Sequence, residues 1–195
     1  MAKPQFRAGH CYHVYNRGVN RGPIFFTEEN WGFFIRRIRE YFKPEFVTIL
    51  AYCLMPNHYH LLLRLKIDEF SSKIMQPFST SYTKAINKQQ NRVGPLFQGK
   101  FKAELVDRDE YLTYLSKYIH LNPVKAGLVQ SPAVWAYSSY RDYIGMRSGT
   151  LPSPQLILER FPNQQAYQQF VEIEPTTGSD VFARWLRSYL EKEWM

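Results

Sequence analysis

The chain has 195 residues, of which 45% are hydrophobic and 16% aromatic, enough apolar side chains for one sizeable folded domain. Cys11 and Cys53 are its two cysteines, which excludes a disulfide framework and a cysteine-rich zinc motif. The sequence opens on a short polar stretch and has no apolar run of membrane-spanning length, so we expect a soluble, cytoplasmic protein with no membrane partner.

The positive charge is unevenly distributed along the chain. The formal net charge is +8 and the sequence pI is about 9.4. Residues 64–102 carry eight basic and two acidic groups, whereas residues 103–195 carry nine basic and eleven acidic groups. A basic stretch mixed with tyrosine and phenylalanine is typical of proteins that bind a nucleic-acid backbone. A solvated cationic face without a ligand is the alternative that charge alone leaves open.

Strand and helix signals alternate through the first part of the chain. Residues 10–17 are aromatic and β-branched and run into a turn at Gly18, which predicts a strand. Thr27 can cap a following helix whose large apolar residues recur at three- and four-residue steps. Two further strands are predicted at residues 46–54 and 58–65. Because only a short turn separates them, we expect them to pair antiparallel.

A helix and a strand are predicted next. Residues 69–90 have a helical apolar stripe, which Pro77 must interrupt or restart. Residues 96–106 alternate in hydrophobicity, which predicts a fourth strand in which Gly99 permits a bulge.

The last part of the chain is predicted to be helical. Asp107 is a candidate N-cap for a helix over residues 107–121, which Asn122-Pro123 is expected to end. A Gly-, Ser- and Pro-rich stretch at 145–154 is expected to divide a core domain, 1–145, from a C-terminal extension, 146–195. Added helices are expected at 135–143, 157–170 and 181–194.

His58 and His60 are the first candidate functional residues. Because side chains alternate along a strand, both histidines project from one face with Cα atoms about 6–7 Å apart, and Tyr59 points into the opposite face. Two imidazoles at this spacing can converge on one metal ion. A metal site normally needs three or more ligands, so the pair alone also fits two ordinary core or surface histidines.

Tyr118 and Asn122 are the second candidates, on the predicted helix. They are four residues apart, so a phenol and an amide oxygen lie on one helix face, one turn apart, within reach of one ion or one phosphate. Tyr111 and Tyr114 share this stripe, and packing of the core is the alternative explanation for all three tyrosines.

Three segments together resemble the single-tyrosine HUH transposases of the IS200-like kind. They are His58-Tyr59-His60, residues 97–101 (FQGKF) and residues 118–127 (YIHLNPVKAG). Within this family the sequence is most similar to the REP-associated tyrosine transposases, over about residues 10–143. Asn122 stands where insertion-sequence relatives usually carry glutamine, and asparagine fits the REP-associated group.

The resemblance implies an α+β fold, with a ferredoxin-like antiparallel sheet and packed helices, here followed by the C-terminal helical extension. It implies metal-dependent cutting and joining of single-stranded DNA at short palindromic hairpins. Tyr118 is then the nucleophile, and His58, His60 and Asn122 bind a divalent ion, Mg²⁺ or Mn²⁺. The expected partner is single-stranded or hairpin DNA, bound by a monomer, with a homodimer as the alternative. The basic residues expected to contact DNA are Arg17, Arg64, Lys84, Lys88, Arg92, Lys100 and Lys102.

This chemistry is consistent with the residues themselves. A tyrosine phenol has a pKa of about 10 and is a poor nucleophile at neutral pH unless its deprotonation is assisted. A divalent ion polarises and orients the scissile phosphate, and Mn²⁺ fits two imidazoles better than Mg²⁺ does. A phosphotyrosine conserves the bond energy for a later joining step, which a water-based nuclease would lose.

Two other functions compete with this one. The first is a non-catalytic regulator that binds nucleic-acid hairpins through a degenerate site. The second is a zinc hydrolase that uses His58, His60 and a third ligand, His10 or His13, although no HExxH or cysteine-based zinc motif is present.

Overall fold

The computed structural model describes residues 6–173, which are built around a four-stranded antiparallel sheet. The strands are β1 (Cys11–Arg17), β2 (Val47–Met55), β3 (His58–Leu65) and β4 (Lys102–Val106), in the spatial order β2-β3-β1-β4. Helix α1 (Glu28–Tyr41) connects β1 to β2, and α2 (Gln76–Gln89) connects β3 to β4. This βαββαβ succession confirms the ferredoxin-like expectation.

Helices cover both faces of the sheet. On one face, α1 and α2 bury Phe34 and Phe78 against the odd-numbered side chains of β3, including Tyr59. On the other face, α3 (Asp109–Lys125) buries Leu115 and packs against β2 and β3. The two-residue period of a strand therefore directs His60 toward α3 and Tyr59 toward α1 and α2, which confirms that they project from opposite faces.

The first helix and the interruption of the second also match their sequence signals. Thr27 is the N-cap residue of α1, and its backbone N–H donates to Oδ1 of Asn30 at 3.2 Å. A π-helical turn, Ser71–Met75, runs directly into α2, and Pro77 is the second residue of α2, so the helix is irregular where the proline lacks an N–H.

The predicted strand at 96–106 is wrong in its first half, because β4 begins at Lys102. The alternation that suggested a longer strand reflects a loop that buries Phe97 in the α1/α2 core. Gly99 then takes φ of +78°, a left-handed conformation that ends the extended run rather than bulging within it.

Both predicted ends of α3 are also wrong. The N-cap is Arg108 rather than Asp107, and the helix continues through Pro123 to Lys125. Pro123 cannot donate to the carbonyl of Ile119, but the next turn is retained, since the N–H of Ala126 donates to the Asn122 carbonyl at 2.9 Å.

The chain after α3 adds an extended segment to the outer edge of β2. The N–H of Leu54 donates to the Tyr137 carbonyl at 2.9 Å, and the N–H of Ser139 donates to the Tyr52 carbonyl at 3.0 Å. The helix expected at 135–143 is therefore wrong over most of its length. The segment is preceded by a 3₁₀ turn, Pro132–Val134, and only its last residues are helical, in α4 (Tyr140–Tyr143).

The helix expected at 157–170 is instead two helices, α5 (Gln155–Leu158) and α6 (Gln164–Glu172). Pro162 lies in the break, and the side chain of Asn163 caps α6 by accepting the N–H of Ala166 at 2.8 Å. The helix expected at 181–194 lies outside the described residues. None of the helices within 6–173 is long and apolar enough to cross a membrane.

Candidate active site

The histidine pair lies at the N-terminal end of β3, a central strand of the sheet. The ring centroids of His58 and His60 are 4.9 Å apart, with the rings nearly perpendicular at 85°. His60 is fully buried and His58 partly exposed. The sheet register continues this row onto β1, where Arg17 is opposite His58 and Tyr15 is opposite His60.

Each imidazole of the pair is held through its Nδ1 atom. Nδ1 of His60 lies 3.0 Å from Nε2 of His13, and Nδ1 of His58 lies 2.6 Å from Oδ1 of Asn57. Partners of this kind fix the orientation of a metal-binding imidazole and leave Nε2 as its ligand atom. The sequence suggested His13 only as a metal ligand, whereas in the structure it is opposite Leu62 on β3 and its ring bonds diagonally to His60.

Tyr118 reaches this pair from α3. Its ring centroid lies 5.7 Å from that of His60 and 6.5 Å from that of His13, nearly perpendicular to both. Leu115 and Ile119, on the same helix, are fully buried and fix the helix face that packs on the sheet. Tyr118 itself is 6% exposed, so a substrate can reach it only at the rim of this face.

Asn122 lies one helical turn beyond Tyr118. Its Nδ2 donates to the Tyr118 carbonyl at 3.0 Å, which fixes the amide and leaves Oδ1 as a possible ligand oxygen. The predicted set His58, His60, Tyr118 and Asn122 thus draws on two facing elements, β3 and α3.

The other two tyrosines of the stripe have different surroundings. Tyr114 packs against Phe170, with ring centroids 5.4 Å apart. The guanidinium of Arg108 lies 5.3 Å from the ring centroid of Tyr111. The contacts of α3 therefore favour Tyr118 as the residue that works with the histidines.

The donor set fits a divalent ion that is shared with its substrate. Two imidazoles and one amide oxygen are an incomplete set, so phosphate oxygens or water must complete it. Within residues 6–173, no group of three or more His, Cys, Asp and Glu side chains could hold a metal. The zinc hydrolase lacks its third ligand there, because His10 is exposed with Nδ1 3.1 Å from the Ala8 carbonyl, and His13 bonds to His60.

Two of the predicted DNA-binding residues, Arg17 and Lys102, lie beside the histidine pair on the sheet face that carries the site. Lys102 on β4 is opposite Tyr15, which is itself opposite His60, so these side chains form a row across three strands. Nε of Arg17 donates to Oε1 of Gln98 at 2.7 Å. Lys100 is exposed on the loop that leads into β4.

The remaining predicted DNA-binding residues lie elsewhere. Lys84 and Lys88 are exposed on α2, behind the opposite face of the sheet. The guanidinium of Arg92 lies 5.4 Å from the ring centroid of Phe26. Arg64 is near the end of β3 that is farthest from His58, opposite Cys11.

Lys125 and His120 are two residues of α3 that sequence reasoning missed. Nζ of Lys125 lies 4.9 Å from the ring centroid of Tyr118, two turns away along the helix, and this proximity was hidden by the expected helix end at Pro123. His120 is fully buried, and burial lowers its pKa to about 3, so its ring is neutral.

Comparison with known proteins shows that the chain is similar to transposases. Residues 7–122 match the family model described as IS200-like transposase. A putative REP-associated tyrosine transposase of Haemophilus influenzae is 28% identical, with 65% of this chain and 84% of that protein covered. A solved structure of a REP-associated tyrosine transposase bound to a REP hairpin is similar in fold, with a TM-score of 0.61 at 19% identity, covering 78% of this chain and 93% of that one.

Proposed function

Since the chain belongs to the family of IS200-like transposases, we propose that it is a metal-dependent nickase and strand transferase of single-stranded DNA. The observation that carries this proposal is the placement of Tyr118 on α3 with its ring 5.7 Å from that of His60. Helix α3, which carries Tyr118 and Asn122, packs against β3, which carries His58 and His60. Together these elements offer a phenol, an amide oxygen and two imidazoles for phosphodiester transfer through a tyrosine.

Tyr118 is the nucleophile of the proposed reaction. Its phenol oxygen attacks the scissile phosphorus in line, forms a phosphotyrosine bond and loses its proton, while the departing sugar oxygen takes up a proton as a hydroxyl. In the joining step, a sugar hydroxyl attacks the phosphotyrosine and regenerates the phenol. One covalent intermediate thus serves both cutting and joining.

His58, His60 and Asn122 are the residues that hold the divalent ion. When bound, Mg²⁺ or Mn²⁺ supplies charge neutralisation and orientation of the scissile phosphate. His13 and Asn57 hold the two imidazoles through Nδ1, at 3.0 Å and 2.6 Å. Such outer partners typically contribute about 10- to 100-fold in metal affinity or activity.

Short palindromic hairpins are the substrate that the comparisons support. The similar structure holds a REP hairpin, and the Haemophilus influenzae relative has a REP-associated name. A hairpin offers a duplex for lysine and arginine beside a flexible single strand for in-line attack. Lys102 and Arg17 flank the histidines on the site face, in position for the backbone of that strand.

The alternative is a regulator that binds hairpins without cutting them. Two observations favour this alternative. Tyr118 is only 6% exposed, and the Lys125 ammonium lies 4.9 Å from its ring centroid. If DNA does not displace the lysine, the phenol stays covered and cannot attack a phosphate.

Tyr118→Phe tests the proposal, with Tyr114→Phe as the matched control on the same helix. The proteins are incubated with Mn²⁺ and a labelled hairpin carrying a single-stranded flank, and the products are separated on a denaturing gel. We expect a covalent protein–DNA adduct with the native protein and with Tyr114→Phe, and no adduct with Tyr118→Phe, although all three bind the hairpin. A full duplex of the same sequence should remain uncut, because a stiff duplex prevents in-line attack.

Each other outcome has a defined meaning. Hairpin binding by the native protein without an adduct would support the regulator. An adduct with Tyr118→Phe would show that another residue is the nucleophile, and equal cutting of the duplex would indicate an ordinary duplex nuclease.

A further inference from the structure

His120 lies on α3 between Tyr118 and Asn122 but faces the other side of the helix. An α-helix turns by about 100° per residue, so His120 projects about 200° around the axis from each of them. Nδ1 of His120 lies 2.8 Å from the Tyr167 hydroxyl, and Nε2 lies 2.8 Å from Oγ of Ser139. A neutral imidazole has one donor and one acceptor, so both nitrogens of His120 are satisfied.

Tyr167 connects α3 to α6. Its hydroxyl lies 2.9 Å from Oγ of Ser116, one turn before His120, and 2.8 Å from the His120 ring. In the same region, Nζ of Lys117 donates to the Phe170 carbonyl at 2.6 Å. Helix α6 therefore holds α3 at three positions within about one turn and a half, with Ser116 and His120 on the side away from Tyr118 and Lys117 about 100° around the helix from it.

Ser139 connects α3 to the edge of the sheet. Its Oγ accepts the N–H of Tyr52 at 2.9 Å, and its own N–H donates to the Tyr52 carbonyl at 3.0 Å. Tyr52 lies on β2, where the next residue, Cys53, is opposite His60 on β3. A short path of hydrogen bonds and strand pairing thus joins the reverse side of α3 to the strand that carries the histidine pair.

We propose that His120 is a positioning residue for Tyr118. By binding Tyr167 and Ser139, it fixes the rotation of α3 about its axis and hence the distance between the phenol and His60. The inference rests on the proposed role of Tyr118 as nucleophile. Ser139 and Tyr167, the two partners of His120, lie beyond residue 122, where the family match ends. The proposal therefore also gives residues after 122 a role in the geometry of the site.

Tyr167→Phe is the variant that tests this role, and Tyr143→Phe is its matched control. Tyr143 is also fully buried, its ring centroid lies 4.8 Å from that of His120, and its hydroxyl donates to the Leu50 carbonyl at 2.8 Å. Each change removes one buried hydroxyl from the same core and should lower the stability. Only Tyr167→Phe removes a hydrogen bond to His120.

Two measurements on the full chain separate positioning from stability. The first is the single-turnover cleavage rate at saturating hairpin, together with the Kd of the hairpin. We expect Tyr167→Phe to lower the rate about tenfold or more with an unchanged Kd, because small displacements of reacting groups slow catalysis strongly. Tyr143→Phe should change neither quantity.

The second measurement does not depend on activity. With 3-fluorotyrosine in place of Tyr118, the ¹⁹F resonance should shift or split in Tyr167→Phe and stay unchanged in Tyr143→Phe. Equal rates and an unshifted resonance in Tyr167→Phe would overturn the role of His120. If the native protein does not cleave DNA, the proposed function fails, and the ¹⁹F spectra alone then decide whether His120 positions Tyr118.

Discussion

At the scale of single residues, the two imidazoles of the site have unequal surroundings. His60 is fully buried and bonds to His13, a second histidine from the neighbouring strand. His58 is partly exposed and bonds to Asn57, the residue that precedes it. His60 is thus oriented by the sheet, and His58 by the turn that opens β3.

This arrangement predicts how the ligands contribute to metal-dependent cleavage. His58→Ala and His60→Ala should each lose most of the adduct, and Asn122→Ala should lose less, because an amide oxygen is a weaker ligand than an imidazole. Mn²⁺ affinity by isothermal titration calorimetry and the adduct rate are the two measurements. His10→Ala, which changes an exposed histidine away from the site, is the control. Full activity in EDTA would contradict a role for the ion.

His120 gives a prediction about pH. Burial lowers its pKa to about 3 from an ordinary value of 6.5. Between these values the unfolded chain binds a proton that the folded chain does not, so the free energy of unfolding falls as pH drops below about 6.5. The slope approaches about 1.4 kcal/mol per pH unit.

Urea unfolding at pH 7 and pH 5 measures this effect. His120→Gln should be less stable than the native protein at pH 7. Between pH 7 and pH 5, however, its free energy of unfolding should fall by about 2 kcal/mol less than that of the native protein. An equal loss in both proteins would show that His120 is not the group responsible.

At the scale of elements, the sheet separates the predicted DNA-binding residues into two groups. Lys102 lies on the face of the site, in the row of Tyr15 and His60. Lys84 and Lys88 project from α2, on the far side of the sheet. Affinity for the backbone and contact with the scissile strand can therefore be measured separately.

Neutralising each group should have a different effect. Lys102→Gln should lower both hairpin affinity and the cleavage rate at saturating DNA. The double change Lys84→Gln and Lys88→Gln should lower affinity alone and reduce the log–log salt slope by about 0.7 for each single-strand phosphate contact that is lost. Fluorescence anisotropy from low to high salt and single-turnover cleavage give the two readouts. A slower rate in the α2 double variant at saturation would place α2 within the site.

The elements also show what the sequence could predict. The strand with the histidine pair and the helix after Thr27 follow from periodicity and capping, which depend on neighbouring residues. The grouping of Tyr118 with the pair came instead from the resemblance to a known family. The sequence predicted a strand at 96–101, but these residues form a loop. Phe97 of this loop is buried in the core, and a buried loop residue gives the same apolar signal in the sequence as a buried strand residue. The end of α3 was misplaced because a proline disfavours a helix without forbidding it.

Residues whose role depends on distant partners were harder to find. His13 and His120 bond to side chains 47 positions away along the chain in each case, His60 and Tyr167. Such pairs become visible only once strand register and helix packing are known.

At the scale of the whole molecule, the site has two halves that are far apart in sequence. The sheet supplies His58 and His60, and α3 supplies Tyr118 and Asn122. The structure packs α3 against the sheet of its own chain, and α6 and the segment at Ser139 hold it there. One copy of the chain therefore contains every predicted site residue.

The attachment of α3 to its own sheet has a consequence for complementation between damaged copies. A mixture of Tyr118→Phe and His60→Ala proteins contains one intact tyrosine helix and one intact histidine pair, but on different molecules. If α3 stays with its own chain, the mixture should form no more adduct at any ratio than the residual amount that the His60→Ala protein forms alone. Recovery of adduct on mixing would mean that copies exchange α3, and the protein would then act as a homodimer with shared sites.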